Sequence, residues 1–175
     1  MGEKRIAWAI TGAGHTLEEC AEVLLRHEKV DVFLSRAAEE VLVMYDLYSR
    51  INASNARIYR ETNASAPLVG RFSGGIYRVL VVAPATSNSV AKFVHGISDT
   101  LVTNMFAQAG KSRVPVVVYP TDLAPEMDSL GPQKVPVKVY PRLIDLENTG
   151  KLRAFTGVDV VSNLEELEQC LATCL

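Results

Sequence analysis

The stretch Val79-Leu80-Val81-Val82-Ala83-Pro84-Ala85-Thr86-Ser87-Asn88 decides the fold. Five consecutive apolar residues, three of them β-branched, suit a strand buried on both faces, and such strands belong to parallel sheets covered by helices. Proline closes the run, and the short polar residues behind it suit a turn into a helix. Ligands of open α/β sheets sit outside the carboxyl ends of the strands, which makes this turn the first place to look for a site.

Outward from that strand the chain alternates. Residues 5–10 read as an apolar strand that ends in Thr11-Gly12-Ala13-Gly14. A helix is expected over 16–27, with Leu17, Cys20, Ala21, Leu24 and Leu25 on one face, Thr16 as its cap and Glu18 and Glu19 in its first turn. Residues 30–34 form a second strand, and Ser35 is placed to cap a helix running to 47. The segment 52–75 reads as irregular apart from a short strand at 57–59. Beyond the strand at 78–83, helices are expected at 87–95 and 99–109, broken at Gly96-Ile97-Ser98, with a further strand at 114–119. Residues 122–135, with Pro125, Asp128, Gly131 and Pro132, read as a loop excursion. An edge strand at 137–140, a last strand at 158–161 and a helix to 173 capped by Asn163 complete the pattern. Strands separated by helices predict a three-layer, doubly wound parallel α/β fold, and 175 residues suit one domain over 1–175.

Composition narrows the function classes. Eighteen Lys and Arg against 20 Asp and Glu give a net charge of -2, so no global field draws nucleic acid. The apolar runs are far shorter than the ~20 residues a membrane helix needs, and Met1-Gly2-Glu3-Lys4-Arg5 leads straight into a strand, so the expected location is the cytoplasm without membrane contact. Cys20 suits a buried helix face. Cys170 and Cys174 lie at i, i+4 with no further Cys or His beside them, and the histidines show no ligand spacing, so no metal site and no disulfide are expected.

Two turns carry the candidate chemistry. Thr11-Gly12-Ala13-Gly14 is a glycine-rich strand-to-helix turn of the kind that presents backbone N–H groups to a phosphate. The dinucleotide spacing G-x-G-x-x-G fails because position 17 is Leu17, and Ser35 stands where a ribose-binding acid would be expected, so a mononucleotide phosphate fits better than NAD. Ser35 and the Pro84-Ala85-Thr86-Ser87-Asn88 turn follow different strands but share one sheet edge, so they can converge. Thr86, Ser87 and Asn88 donate and accept, which suits a flavin ring edge or a ribityl chain. Asp99 either caps the next helix or accepts from ribityl hydroxyls or a ring N–H; Thr100 and Leu101 follow it. His15 lies inside the first turn, and Tyr45, Tyr48, Tyr59 and Phe72 suit core, subunit interface or ring contact.

Thr11-Gly12-Ala13, Ser35, Ala83-Pro84-Ala85-Thr86-Ser87-Asn88, Ala91-Lys92, Gly96-Ile97-Ser98-Asp99 and Leu101-Val102-Thr103 together resemble the homo-oligomeric flavin-containing cysteine decarboxylase superfamily. The resemblance covers about the first two thirds of the chain. It implies a Rossmann-like flavoprotein fold and bound FMN, with the phosphate at the first turn and Ser35 and the ribityl chain and ring near Thr86 to Asn88 and Asp99 to Leu101. It also implies a homo-oligomer built from trimers, with FMN near a subunit boundary. The decarboxylase branch has a His before the third main strand and a later Pro-Ala-Met-Asn motif. Here Ala66-Pro67-Leu68-Val69-Gly70-Arg71 holds no His, and Tyr119-Pro120 leads into Thr121-Asp122-Leu123-Ala124-Pro125.

Ile6-Ala7-Trp8-Ala9-Ile10-Thr11-Gly12-Ala13-Gly14 and Pro67-Leu68-Val69-Gly70-Arg71 look instead like the archaeoflavoprotein and dihydromethanopterin reductase branch. That likeness implies hydride transfer from reduced FMN to a pterin substrate, dihydromethanopterin becoming its tetrahydro form, with no catalytic side chain and an unidentified electron donor. A flavin electron-transfer protein serving a ferredoxin-like partner is the second expectation. An FMN-dependent decarboxylase or prenyl transferase is the third.

Overall fold

The computed structural model describes residues 4–62 and 67–174. Six strands form one parallel sheet: β1 (Arg5–Ile10), β2 (Val30–Leu34), β3 (Arg57–Arg60), β4 (Tyr77–Ala85), β5 (Val116–Pro120) and β8 (Val158–Val160), in the order β3-β2-β1-β4-β5-β8. The chain winds outward through β2 and β3 on one side of β1, then crosses to β4 on the other. The order therefore reverses between β1 and β4, the switch point at which doubly wound sheets open a crevice. Trp8 pairs in register with Val81, and its indole N–H donates to the Ala83 carbonyl at 2.8 Å, which locks the two central strands together.

Strand alternation sends side chains to two separate cores. Ile6, Trp8 and Ile10 pack with Val79, Val81 and Ala83 under α1 (Leu17–Leu25), α2 (Arg36–Met44), α3 (Tyr48–Asn52) and α7 (Leu164–Cys174). Ala7 and Ala9, with Leu80 and Val82, face α4 (Ser87–Val94), α5 (Leu101–Lys111) and α6 (Leu143–Leu152). The expected three-layer architecture is present. Asp31, wholly buried on β2, accepts from Arg5 Nε at 2.6 Å and from the Tyr77 hydroxyl at 2.8 Å. Arg71 also reaches Asp31, at 3.4 Å, while donating to the Tyr59 hydroxyl at 2.6 Å. This buried charge network pins the 3-10 helix Pro67–Arg71 onto the sheet.

Several expectations change. The excursion at 122–135 contains strand β6 (Met127–Leu130), which pairs antiparallel with β7 (Pro136–Val139) in a separate ribbon, so the latter is not an edge of the main sheet. Helix α6 was not expected, because Asn148, Thr149 and Gly150 interrupt its apolar pattern. The helix expected to run from Ser35 to 47 stops at Met44 and resumes as α3. Thr16 does not cap α1: it sits at φ 57, and its hydroxyl donates to the His15 carbonyl and accepts from no backbone N–H of the helix. Asn163 does cap α7, its side-chain oxygen accepting from Glu166 N at 2.9 Å. Among the described residues no helix is long and apolar enough to cross a membrane, and no His, Cys, Asp and Glu cluster suits a metal ion.

Candidate functional site

The carboxyl ends of β1 and β4 are stapled by one side chain. Thr11 is buried, and its hydroxyl donates to the Pro84 carbonyl at 2.8 Å while accepting from Thr86 N at 2.9 Å. The hydroxyl's one proton and one of its two lone pairs are thereby spent on the protein. Thr11 accordingly sets the two turns against each other.

Packing rather than backbone conformation explains the glycines of the first turn. A Cβ on Gly12 would come within 2.5 Å of the Ala37 Cβ, so glycine lets β1 approach α2; a Cβ on Gly14 would meet the Tyr45 ring. Ala13, Gly14 and His15 line one wall of a crevice of about 190 Å³, with Thr86 and Ser87 opposite and Thr121, Asp122, Met127 and Val139 closing it. Pro84 and Ala85 form the buried end of β4 beneath it, and Ala85 accepts from Thr121 N at 3.0 Å.

Three expected site residues act as helix caps. Ser35 Oγ accepts from Ala38 N at 3.1 Å, Thr86 from Ser89 N at 3.3 Å, and Thr100 from Thr103 N at 3.2 Å. The capping role falls to Thr100 and not to Asp99. Asp99 is more than half exposed and forms an ion pair with Lys92 at 2.8 Å, and that hydrogen bond holds its carboxyl below the usual range. Asn88 is exposed and lies outside the crevice lining. Leu101 is buried, and its contribution to this edge is its backbone N–H.

That N–H leads to a residue the sequence did not reveal. Glu61, just past β3, accepts from Leu101 N at 2.6 Å and from Arg36 N at 3.2 Å. Its carboxylate therefore bridges the N-termini of α5 and α2 beside Ser35. Two helix N-termini that already hold an oxyanion are a donor set suited to a phosphate. Nothing in local spacing could have shown this, because the partners lie 25 and 40 residues away.

The ribbon of β6 and β7 leans over the first turn. His15 Nδ1 lies 3.0 Å from Ser129 Oγ, and the Tyr45 hydroxyl donates to the Leu130 carbonyl at 3.1 Å. Burial holds the His15 imidazole below its ordinary value, against the opposing pull of Glu19 and Asp122. Between ribbon and helices lies a larger cavity, about 430 Å³, which shares Gly14 and His15 with the crevice and includes Glu18, Glu19, Asp46 and Asp128 in its wall. Lys134 lines the same wall and Asp128 is paired with Lys138 at 3.0 Å, so Glu18, Glu19 and Asp46 are the carboxylates that offer acceptors to N–H donors of a ligand. Tyr59 stacks on Phe33 and Phe72 is almost wholly buried, so neither ring is free to lie on a ligand.

A crevice at the β1/β4 switch point, flanked by an oxyanion seat, defines a mononucleotide-binding α/β protein. The chain belongs to the Flavoprotein family, whose model matches residues 1–174. It is 37% identical over 174 residues to an uncharacterized protein of Methanocaldococcus jannaschii, covering 95% of this chain and 94% of that one. It is 46% identical over 136 residues to the dihydromethanopterin reductase (acceptor) of Methanosarcina mazei, a match of 70% of this chain to 57% of the reductase. The matched region thus spans little more than half the length of that enzyme. Among solved structures, the FMN complex of DmrB from Burkholderia xenovorans, described as a cubic protein cage for redox transfer, superposes with a TM-score of 0.88 at 40% identity, covering 97% of this chain and 94% of that one.

Proposed function

We propose that this protein is an FMN-dependent oxidoreductase that reduces dihydromethanopterin, or a related pterin, to the tetrahydro form. The observation that carries the reading is the switch-point crevice between Ala13-Gly14 and Thr86-Ser87, with the Glu61-filled oxyanion seat beside it. Arg36 N and Leu101 N would hold the phosphate, and the crevice would hold part of the ribityl chain and ring. Bound FMN supplies the hydride chemistry, so the chain's own task is to bind, orient and exclude water.

The 430 Å³ cavity under the ribbon adjoins the crevice, and its carboxylates offer acceptors to the amino and ring N–H donors of a pterin. His15 and Gly14, shared by both spaces, lie where cofactor and substrate would meet.

The crevice is smaller than the roughly 300–1,000 Å³ typical of ligand pockets, so a flavin seated in it needs a further cover. Val43, Met44, Leu130, Val137, Tyr140 and Leu143 are exposed on α2, the ribbon and the start of α6. Apolar surface of this kind favours a second copy as the cover, and a trimer as the basic unit follows from the family likeness. Of the readings open to Phe72, its burial selects the core and not the interface. The test is a visible spectrum and an FMN titration of the purified protein, with its mass measured by light scattering. One FMN per chain in an assembly of three chains or a multiple is the expected result. A monomer that binds FMN stoichiometrically would overturn the shared cover, and a protein that binds no flavin would overturn the reading itself.

A further inference from the structure

Glu61 occupies a position that its helices do not require for capping. α2 is already capped by Ser35 and α5 by Thr100, whose Thr103 partner returns a bond to the cap's own N–H. Of the two first-turn N–H groups that the caps leave on each helix, the first, Arg36 N on α2 and Leu101 N on α5, converge on the same carboxylate. Among the described residues no Lys or Arg side chain is ion-paired with Glu61. The carboxylate is held by backbone donors and by the positive ends of two helices of 9 and 11 residues. Those are the features that recognise a phosphate monoester, and a carboxylate and a phosphate cannot share two N–H groups.

We propose that Glu61 is the resident anion of the phosphate seat, and that cofactor loading exchanges its carboxylate for the phosphate of FMN. The proposal rests on the FMN reading above. The Glu61 backbone need not move, because its N–H is fixed to the Leu34 carbonyl at 3.0 Å and the exchange asks only for side-chain rotation. Until FMN arrives, the carboxylate keeps both N–H groups paired and ties α5 to α2. Once FMN is bound, Glu61 adds nothing to the tie and leaves a negative charge near the phosphate. It therefore stabilises the empty protein and opposes loading, and it discriminates against FMN relative to riboflavin, which carries no phosphate.

The experiment compares FMN and riboflavin affinities, and the thermal midpoints of the empty and FMN-loaded protein, for the wild type, Glu61→Gln and Glu61→Ala. Both variants are expected to bind FMN about fivefold more tightly or better, the effect of removing one nearby like charge, with riboflavin affinity unchanged. The midpoint of the empty protein should fall while that of the loaded protein holds. Glu61→Gln keeps an amide oxygen that can accept one N–H, so it serves if Glu61→Ala does not fold. Weaker or unchanged FMN binding in Glu61→Gln overturns the exchange, as does an equal loss of stability in the empty and loaded forms. A wild type that binds neither flavin refutes the FMN reading before any variant is made, and the exchange falls with it.

Discussion

Replacing Thr11 by Val keeps the shape of the side chain and removes only the hydroxyl that joins the two turns of the site. Two bonds disappear, one buried and one part-buried: the donation to the Pro84 carbonyl at 2.8 Å and the acceptance from Thr86 N at 2.9 Å. The Pro84 carbonyl keeps one long bond, from Thr11 N at 3.4 Å, whereas Thr86 N is left without its partner beside a methyl group. An orphaned buried donor costs about 1–3 kcal/mol and an ordinary lost bond about 1 kcal/mol, so the total is about 3 kcal/mol. For a chain of this size that corresponds to a midpoint lower by roughly 6–12 °C. The same change frees the Thr86-Ser87 wall of the crevice from the Ala13-Gly14 wall, and flavin affinity should fall with stability. Thermal denaturation of Thr11→Val and Thr11→Ser separates the terms, since serine retains both bonds and should remain within about 1 kcal/mol of the wild type. A Thr11→Val protein with an unchanged midpoint and unchanged FMN affinity would refute the staple.

Gly12→Ala should destabilise by about 1–3 kcal/mol, because the new Cβ would lie 2.5 Å from a Cβ fixed to the α2 backbone, and adding Ala37→Gly should recover most of the loss in urea unfolding. Asp31→Asn removes the buried charge that Arg5 and Arg71 face, at a cost of about 3 kcal/mol, and amide exchange should show the segment Pro67–Arg71 loosening first. His15 is held below its ordinary pKa by burial, so the unfolded chain binds the proton more readily. Its contribution to stability is complete above about pH 6.5 and is lost as pH falls through the lowered folded value. Imidazole resonances followed by NMR should show His15 titrating below the ordinary histidine value, and a midpoint at or above that value would contradict the assignment.

The parts of the fold that were legible in the sequence are those where burial writes its own pattern. Val79 to Ala83 and Val116 to Val118 are continuous apolar runs, and Val30 to Leu34 is one broken only by Asp31, because helices cover both faces of the sheet, and each is a strand. Ser35 and Thr86 were legible because a hydroxyl between strand and helix has a local task as cap. The ribbon was not, since Met127-Asp128-Ser129-Leu130 is half exposed and lacks the apolar density of a core strand. Helix α6 escaped for a similar reason, with buried Asp145, Asn148 and Thr149 on the face where leucines would have announced it. In the candidate site, the turns following β1 and β4 line the crevice, whereas Asp99 pairs with Lys92 and Asn88 is exposed. Glu61 does its work through two backbone N–H groups, and backbone donors leave no trace in side-chain identity.

The central claim is that the bound flavin delivers hydride to a pterin. Its most direct test is a single turnover, in which protein loaded with chemically reduced FMN is mixed anaerobically with dihydromethanopterin and the flavin absorbance is followed. One equivalent of tetrahydro product should form as the oxidised flavin band returns, at a rate well above that of free reduced FMN. A rate no greater than that of free FMN would contradict it.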